Sequence, residues 1–152
     1  EYIRSFAPGF IFTTSIMPSV AAAAVKSISL VKDADSKRDH ILKHADYLRG
    51  KLKYYDIPFI DSDSHIVPVM AFDSELAKSY SKKLNEQFGI YVQPIFYPTV
   101  PKNSARLRIT VTPKHSYQDI DELVIALANV TGKIVPKNQT VESGNEFSST
   151  FL

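Results

Sequence analysis

Apolar residues recur at steps of three and four at Ile41, Ala45, Leu48, Leu52 and Tyr55, which lines one face of a helix. Gly50 inside that pattern weakens it by roughly 1 kcal/mol against alanine. A second four-residue spacing, Leu76, Tyr80, Leu84 and Phe88, predicts another helix, capped by Asp73 or Ser74 and stopped by Gly89. A third carries Ile120, Leu123, Val124 and Leu127, opens on a Ser116-x-x-Asp119 capping box and ends at Gly132. Pro18 sits where a first helical residue belongs, and residues 20–32 follow without a breaker; Ala21 to Ala24 in that run permit close packing. Strict alternation marks residues 106–112 as the cleanest strand, and residues 57–60, 65–72 and 90–95 read as strands too. Pro68 has no N–H to donate, so its strand should bulge or lie at an edge there. Residues 11–15 form a short β-prone run, and residues 96–105, with Pro98, Pro101 and Asn103, form a loop.

The predicted order is strand, two helices, then β-α-β-β-α. That order points to an α+β unit whose small sheet is covered by helices on one face. Residues 1–55 close no core of their own and read as the end of another domain plus a connecting helix. From residue 133 the chain is polar, with little to bury, and reads as a frayed tail. Asn138-Gln139-Thr140 fits a glycosylation acceptor, but nothing else here looks secreted.

The 152 residues are 44% hydrophobic and 22% charged, the balance of a folded domain with a real core. No apolar run reaches membrane-spanning length. The net charge of +2, with the charges interspersed, is too weak to argue for a nucleic-acid partner. Zero cysteines remove disulfides, thiolate metal sites and cysteine nucleophiles together. The opening Glu1-Tyr2-Ile3-Arg4-Ser5 has no targeting character and reads as the interior of something longer.

Candidate chemistry lies in two places. On the 106–112 strand, Leu107, Ile109 and Val111 point to one face and Arg106, Arg108, Thr110 and Thr112 to the other. Two guanidiniums about 7 Å apart, followed by hydroxyls, make a cradle for a carboxylate or phosphate; a solvated sheet face is the ordinary alternative. Thr13, Thr14 and Ser15 precede a helix start, where hydroxyls and free N–H groups favour an anion or simply cap the helix. His40 and His44 lie at i and i+4 with no third ligand and read as a solvated face, while His65 and His115 fit no triad pattern. There is no Walker loop and no dinucleotide fingerprint. The residues alone therefore describe an anion-binding α+β domain.

Five segments, in order, resemble the 5-aminolevulinate synthase family of the α-oxoamine synthases. They are Tyr2-Ile3-Arg4-Ser5-Phe6-Ala7-Pro8-Gly9-Phe10-Ile11-Phe12-Thr13-Thr14-Ser15, Ser64-His65-Ile66-Val67-Pro68-Val69, Ile90-Tyr91-Val92-Gln93, Tyr97-Pro98-Thr99-Val100-Pro101 and Arg106-Leu107-Arg108-Ile109-Thr110. The resemblance implies an α/β fold-type I pyridoxal-phosphate transferase. In that fold this chain supplies the end of the large domain (1–32), a connecting helix (33–56), an α+β small C-terminal domain with a short, mainly antiparallel sheet (57–132) and a flexible tail (133–152). It implies pyridoxal 5'-phosphate as cofactor, glycine and succinyl-CoA as substrates, and 5-aminolevulinate, CoA and CO2 as products on one route to haem. It further implies a homodimer with its active site at the subunit interface, with no nucleic-acid or membrane partner. The bacterial cytoplasm, or alternatively the mitochondrial matrix, is the implied compartment.

Position by position, Arg108 matches the arginine that holds the amino acid's carboxylate. Thr13, with Thr14 beside it, matches the hydroxyl that reaches the cofactor phosphate. Tyr97, Pro98, Thr99, Val100, Pro101 and Lys102 match the mobile loop over the acyl-CoA site, and Arg106 reads as loop-supporting. The sequence also departs from the family. Ile16-Met17-Pro18 stands for Leu-Pro-Pro, Pro101-Lys102-Asn103-Ser104-Ala105 for Pro-Arg-Gly-x-Glu, and Val111 for a usual proline. A lysine cannot reproduce an arginine's fork, whereas asparagine tolerates the left-handed backbone of glycine. The family's Schiff-base lysine lies upstream of Tyr2, so no catalytic residue is expected in this stretch, which should be inactive alone. A sibling synthase using another acyl-CoA or amino acid, or a non-catalytic interaction module, is the alternative.

Overall fold

The structure is a computed structural model that describes residues 1–12 and 14–133. Thr13 and residues 134–152, which include most of the expected tail, lie outside the described residues. The chain divides into two compact units, Glu1–Asp35 and Ser36–Leu152.

The first unit is helical: α1 (Tyr2–Phe6), α2 (Pro8–Ile11) and α3 (Pro18–Lys32). Proline disfavours helical geometry in the residue before it, so Ala7 is extended and separates α1 from α2. The strand expected over residues 11–15 does not form. Pro8 starts a helical turn instead, and the Phe12 N–H closes it on the Pro8 carbonyl at 3.1 Å. Pro18 opens α3 as expected. None of the three helices buries a residue, and Tyr2, Phe6, Phe10, Phe12, Val25 and Leu30 are all exposed.

The second unit holds α4 (Asp35–Tyr54), β1 (Ile66–Phe72), α5 (Ser74–Phe88), β2 (Gln93–Ile95), β3 (Ala105–Thr110) and α6 (Tyr117–Thr131). The strands form one antiparallel sheet in the order β1-β3-β2, so β3 splits the β1-α5-β2 crossover. Val67, Val69, Leu107, Ile109 and Val111 pack from one face into a single core with Leu48 and Leu52 of α4, Leu84 of α5 and Ile120, Leu123 and Leu127 of α6. The α4 stripe is thus part of this core.

Helix ends follow their sequence signals. Asp73 Oδ1 accepts from the N–H groups of Glu75 and Leu76 at 2.8 and 2.9 Å, and Gly89 stops α5 at φ 66°. Ser116 and Asp119 complete the capping box of α6, and Gly132 ends it at φ 71°. On α5 the buried face is Ala77, Ser81 and Leu84, while Leu76 is exposed, because a four-residue row drifts around a helix of 3.6 residues per turn.

Strand lengths differ from the pattern for identifiable reasons. Residues 57–60 contribute only a bridge, Phe59 to Val69, flanked by bonds from the Ile60 N–H to the Pro68 carbonyl and from the Met70 N–H to the Pro58 carbonyl. β1 lies at an edge of the sheet, one of the two places its proline allows, and Pro68 turns its backbone polar side away from β3 toward residues 58–60, so its missing N–H costs the β1–β3 ladder nothing. The register shift falls between Met70 and Phe72 rather than at the proline, with Phe72 at φ 62°. β2 shortens to three residues because the buried Ser81 hydroxyl donates to the Val92 carbonyl at 2.7 Å. β3 stops at Thr110 because the Thr112 N–H donates to His115 Nδ1 at 3.1 Å.

Candidate functional site: the open face of the sheet

Strand alternation places Arg106, Arg108 and Thr110 on the face of β3 opposite the core. The register adds Pro68 and Met70 from β1 and Gln93 and Ile95 from β2 to that face. Arg108 lies between Pro68 and Gln93, its ladder partners on either side. Arg108 and Thr110 are exposed, and the strand residues beside them on the face are half-buried.

The two arginines of the expected cradle have different tasks. Arg106 turns its Nε to the Ser104 carbonyl at 3.0 Å, which ties the loop to the strand. Arg108 makes no ion pair with any described residue, so its fork is available to an external carboxylate. Gln93 beside it accepts a 2.6 Å bond from the Tyr91 hydroxyl.

The β2–β3 connection puts Tyr97, Pro98, Thr99, Val100, Pro101 and Lys102 at the end of the hairpin nearest Arg106. It folds as two turns, with bonds from the Thr99 N–H to the Phe96 carbonyl (3.0 Å) and from the Ser104 N–H to the Pro101 carbonyl (3.2 Å). Lys102 Nζ sits 5.6 Å from the Tyr97 ring centroid, and Lys78 Nζ of α5 sits 4.9 Å from that of Phe96. Asn103 adopts the left-handed conformation, φ 63°, that its glycine-like tolerance allows. The Tyr97–Pro98 peptide is cis, and only Val100 of the six loop residues is half-buried.

Of the expected phosphate hydroxyls, Thr13 lies outside the described residues and Thr14 is exposed just before α3. The N-terminus of α3 has no side-chain cap and no acidic residue in its first turn, so it offers uncompensated N–H groups and the positive end of the helix dipole. Thr14 and this helix end suit the phosphate of an anionic cofactor.

The histidines depart from the sequence reading. His40 is exposed, but His44 is only 1% exposed, because it borders the Ala45 and Leu48 stripe and packs edge-on against Tyr117 of α6. His115 is buried at 4% exposure, and His65 is exposed. Burial, together with His40 and His115 nearby, holds the His44 pKa below its usual value despite its bond to the Thr112 backbone. The continuation of the α4 stripe back to residue 44 is the signal that could have revealed this. Among the described residues no cluster of metal-ligating side chains forms, and no helix is long and apolar enough to cross a membrane.

The chain is similar to known proteins in sequence and in fold. The chain is 50% identical over 127 residues to a 5-aminolevulinate synthase of Rhizobium meliloti, covering 84% of this chain and 31% of that protein. It is 49% identical over 132 residues to the mitochondrial 5-aminolevulinate synthase of Emericella nidulans, covering 86% of this chain and 20% of that one. It thus spans a third or less of the length of these curated relatives. Among solved structures, a serine palmitoyltransferase from S. paucimobilis with a bound PLP–myriocin aldimine superposes with a TM-score of 0.77 at 29% identity, over 86% of this chain and 33% of that one. An 8-amino-7-oxononanoate synthase from Francisella tularensis shares the fold at 20% identity, with a TM-score of 0.71 over 86% and 38% of the two chains. These are fold-type I enzymes, and the small antiparallel sheet with its helical cover fits that α/β class. The aminotransferase class I and II family model matches residues 1–127, through both units and most of α6, and the chain belongs to that family.

Proposed function

We propose that this chain is the C-terminal part of a 5-aminolevulinate synthase, a pyridoxal-phosphate-dependent acyltransferase that condenses glycine with succinyl-CoA to 5-aminolevulinate, CoA and CO2. The observation that carries the reading is Arg108: an exposed guanidinium without an ion partner among the described residues, on a rigid strand at the root of a loop. In this reading residues 1–32 end the large domain, 33–56 connect and 57–132 form the small domain.

Arg108 holds the glycine carboxylate through two parallel N–H bonds, which fixes the orientation of the amino acid as well as its binding. Arg106 keeps the loop anchored while Tyr97 to Lys102 close over the acyl-CoA and exclude water. Lys102 acts there as a point charge, since an ammonium lacks the planar fork. Thr14, with Thr13, and the uncapped start of α3 hold the phosphate of pyridoxal 5'-phosphate. The bound cofactor supplies the electron sink for the substrate carbanion. The working form is a homodimer with the active site at the subunit interface, in the bacterial cytoplasm or, alternatively, the mitochondrial matrix.

The test is a product assay on the full-length polypeptide with pyridoxal phosphate, glycine and a panel of acyl-CoAs, read by mass spectrometry. 5-Aminolevulinate from succinyl-CoA alone is the expected result. A different aminoketone would reassign the chain to a sibling synthase and make the departures at Lys102-Asn103-Ser104-Ala105 the place to look for its specificity.

A further inference from the structure

We infer that His44 and His115 clamp the backbone of Thr112 between them, position the strand that carries Arg108, and release it when His44 takes up a proton. Thr112 lies just beyond the end of β3. Its N–H donates to His115 Nδ1 at 3.1 Å, and the His115 N–H returns to the Thr112 carbonyl at 3.3 Å. His44 reaches the Thr112 backbone from α4. His44 Nδ1 is buried without a partner among the described residues, so the bond to Thr112 runs through Nε2–H. Two buried imidazoles on different elements thus share one residue's backbone, joining α4 to the end of β3.

This clamp needs both rings neutral. An imidazole nitrogen accepts a hydrogen bond only while it carries no proton. A proton on His115 Nδ1 would set a donor against the Thr112 N–H. A proton on His44 Nδ1 would place a donor where no acceptor lies, and a charge where water cannot reach it.

The groups facing His44 cannot offset that charge. They are His40 on its own helix, 4.2 Å away between ring centroids, His115 on the turn after β3, and the Tyr117 ring on α6 at 4.7 Å. Among the described residues no carboxylate contributes to its environment. Asp121 of α6 is engaged by Tyr47 and Lys51, and Asp119 by the Ser116 cap. His44's pKa is held below 6.5, so its stabilising contribution is whole above about that pH and is lost as pH falls toward the lowered value. Release frees the chain at Thr112, next to the Ile66–Thr110 pair and then the Pro68–Arg108 pair of the ladder. His44 and His115 are in this sense positioning residues for Arg108.

The test uses the full-length enzyme. Hydrogen exchange of residues 111–115 is measured at about pH 7.5 and about pH 5.5 and corrected for intrinsic rates. Residues 120–128 of α6 serve as the internal reference. The wild type is expected to lose about tenfold of its relative protection at the lower pH, the scale of one or two lost hydrogen bonds.

The variant His44→Gln with His115→Asn keeps a donor at the Nε2 position and an acceptor at the Nδ1 position but cannot titrate. It is expected to hold its protection at both pH values. The KM for glycine should rise on acidification in the wild type and stay flat in the variant. Equal wild-type protection at the two pH values overturns the clamp, and does so even where the double variant does not fold. An identical loss in the variant overturns it as well. Protection that falls while the glycine KM does not overturns the positioning role. The KM measurement rests on the proposed function and the exchange measurement does not, so an enzyme that ignores glycine refutes that function and leaves the clamp to be judged by exchange.

Discussion

Arg108 on β3 is the ladder partner of Gln93 on β2, whose side-chain carbonyl is held by the Tyr91 hydroxyl at 2.6 Å. The guanidinium therefore projects from a strand whose neighbours are fixed on both sides, and it needs no loop movement to be in place. Arg108→Ala is expected to raise the glycine KM by about 10- to 100-fold, the scale of a lost charge-assisted hydrogen bond. Arg108→Lys should fall between, since it keeps the charge and loses the fork. Because Arg108 is exposed, unfolding free energy should move by no more than about 0.5 kcal/mol in either variant. A glycine KM unchanged in Arg108→Ala would refute the assignment.

Arg106 tests a different link. Its bond to the Ser104 carbonyl joins the loop to β3, so Arg106→Ala should loosen Tyr97 to Lys102 without touching the carboxylate position. The expected outcome is a KM for the acyl-CoA raised by about 2- to 10-fold, with the glycine KM within about twofold of the wild type. Steady-state kinetics with each substrate varied in turn would show it. An effect on glycine alone would mean that Arg106 belongs to the amino-acid site.

Tyr47, Asp121 and Lys51 join α4 to α6. The Tyr47 hydroxyl donates to both carboxylate oxygens of Asp121 at 2.9 and 3.1 Å, and Lys51 Nζ lies 2.8 Å from Asp121 Oδ1. Hydrogen bonding to Asp121 and to Tyr47 raises the Lys51 pKa. The stability this gives is present in full below the ordinary lysine value and is lost as pH rises through the raised one. Asp121→Asn should cost about 1 kcal/mol at neutral pH, a modest figure because the pair is partly solvated. The gap between wild type and variant should close in alkali. Asp121 also helps to hold the Tyr55 pKa up, after burial as the main cause, so removing it eases Tyr55 ionisation and the alkaline difference reads Lys51 and Tyr55 together, both closing the gap. Denaturant titrations at about pH 7 and about pH 11 make the comparison.

The core and the cap of α6 can be separated by magnitude. Leu123 is fully buried, so Leu123→Ala should cost about 2–5 kcal/mol. Ser116→Ala removes the capping hydroxyl that holds the Asp119 N–H and should cost only about 1 kcal/mol. Chemical denaturation of the two variants would test this, and a larger loss from Ser116→Ala would mean that the capping box does more than close the helix end.

Local signals read correctly wherever the cause was local. Pro18, Asp73, Ser116, Gly89 and Gly132 set helix ends through their own backbone geometry, and the alternation of Leu107, Ile109 and Val111 marked the buried face of β3. Two of the readings that shifted depended on a distant partner, and one on a proline a few positions upstream. Residues 11–15 looked β-prone, but Pro8 began a helical turn that runs into them. Residues 90–92 left the strand because Ser81, eleven positions away, takes the Val92 carbonyl. His44 read as solvated until Tyr117 of α6 covered it.

The sequence by itself determined the longer helices α3 to α6, the polar face of β3 and the resemblance that made Arg108 and the Tyr97–Lys102 loop worth attention, because each rests on periodicity or on residues adjacent in the chain. Only the tertiary structure decided that Arg106 is committed to Ser104 while Arg108 is left open, that the bulge falls after Met70 rather than at Pro68, and that two histidines meet on Thr112. Those outcomes depend on which backbone groups find partners across the fold and which side chains lose access to water. Neither is set by spacing along one strand or helix.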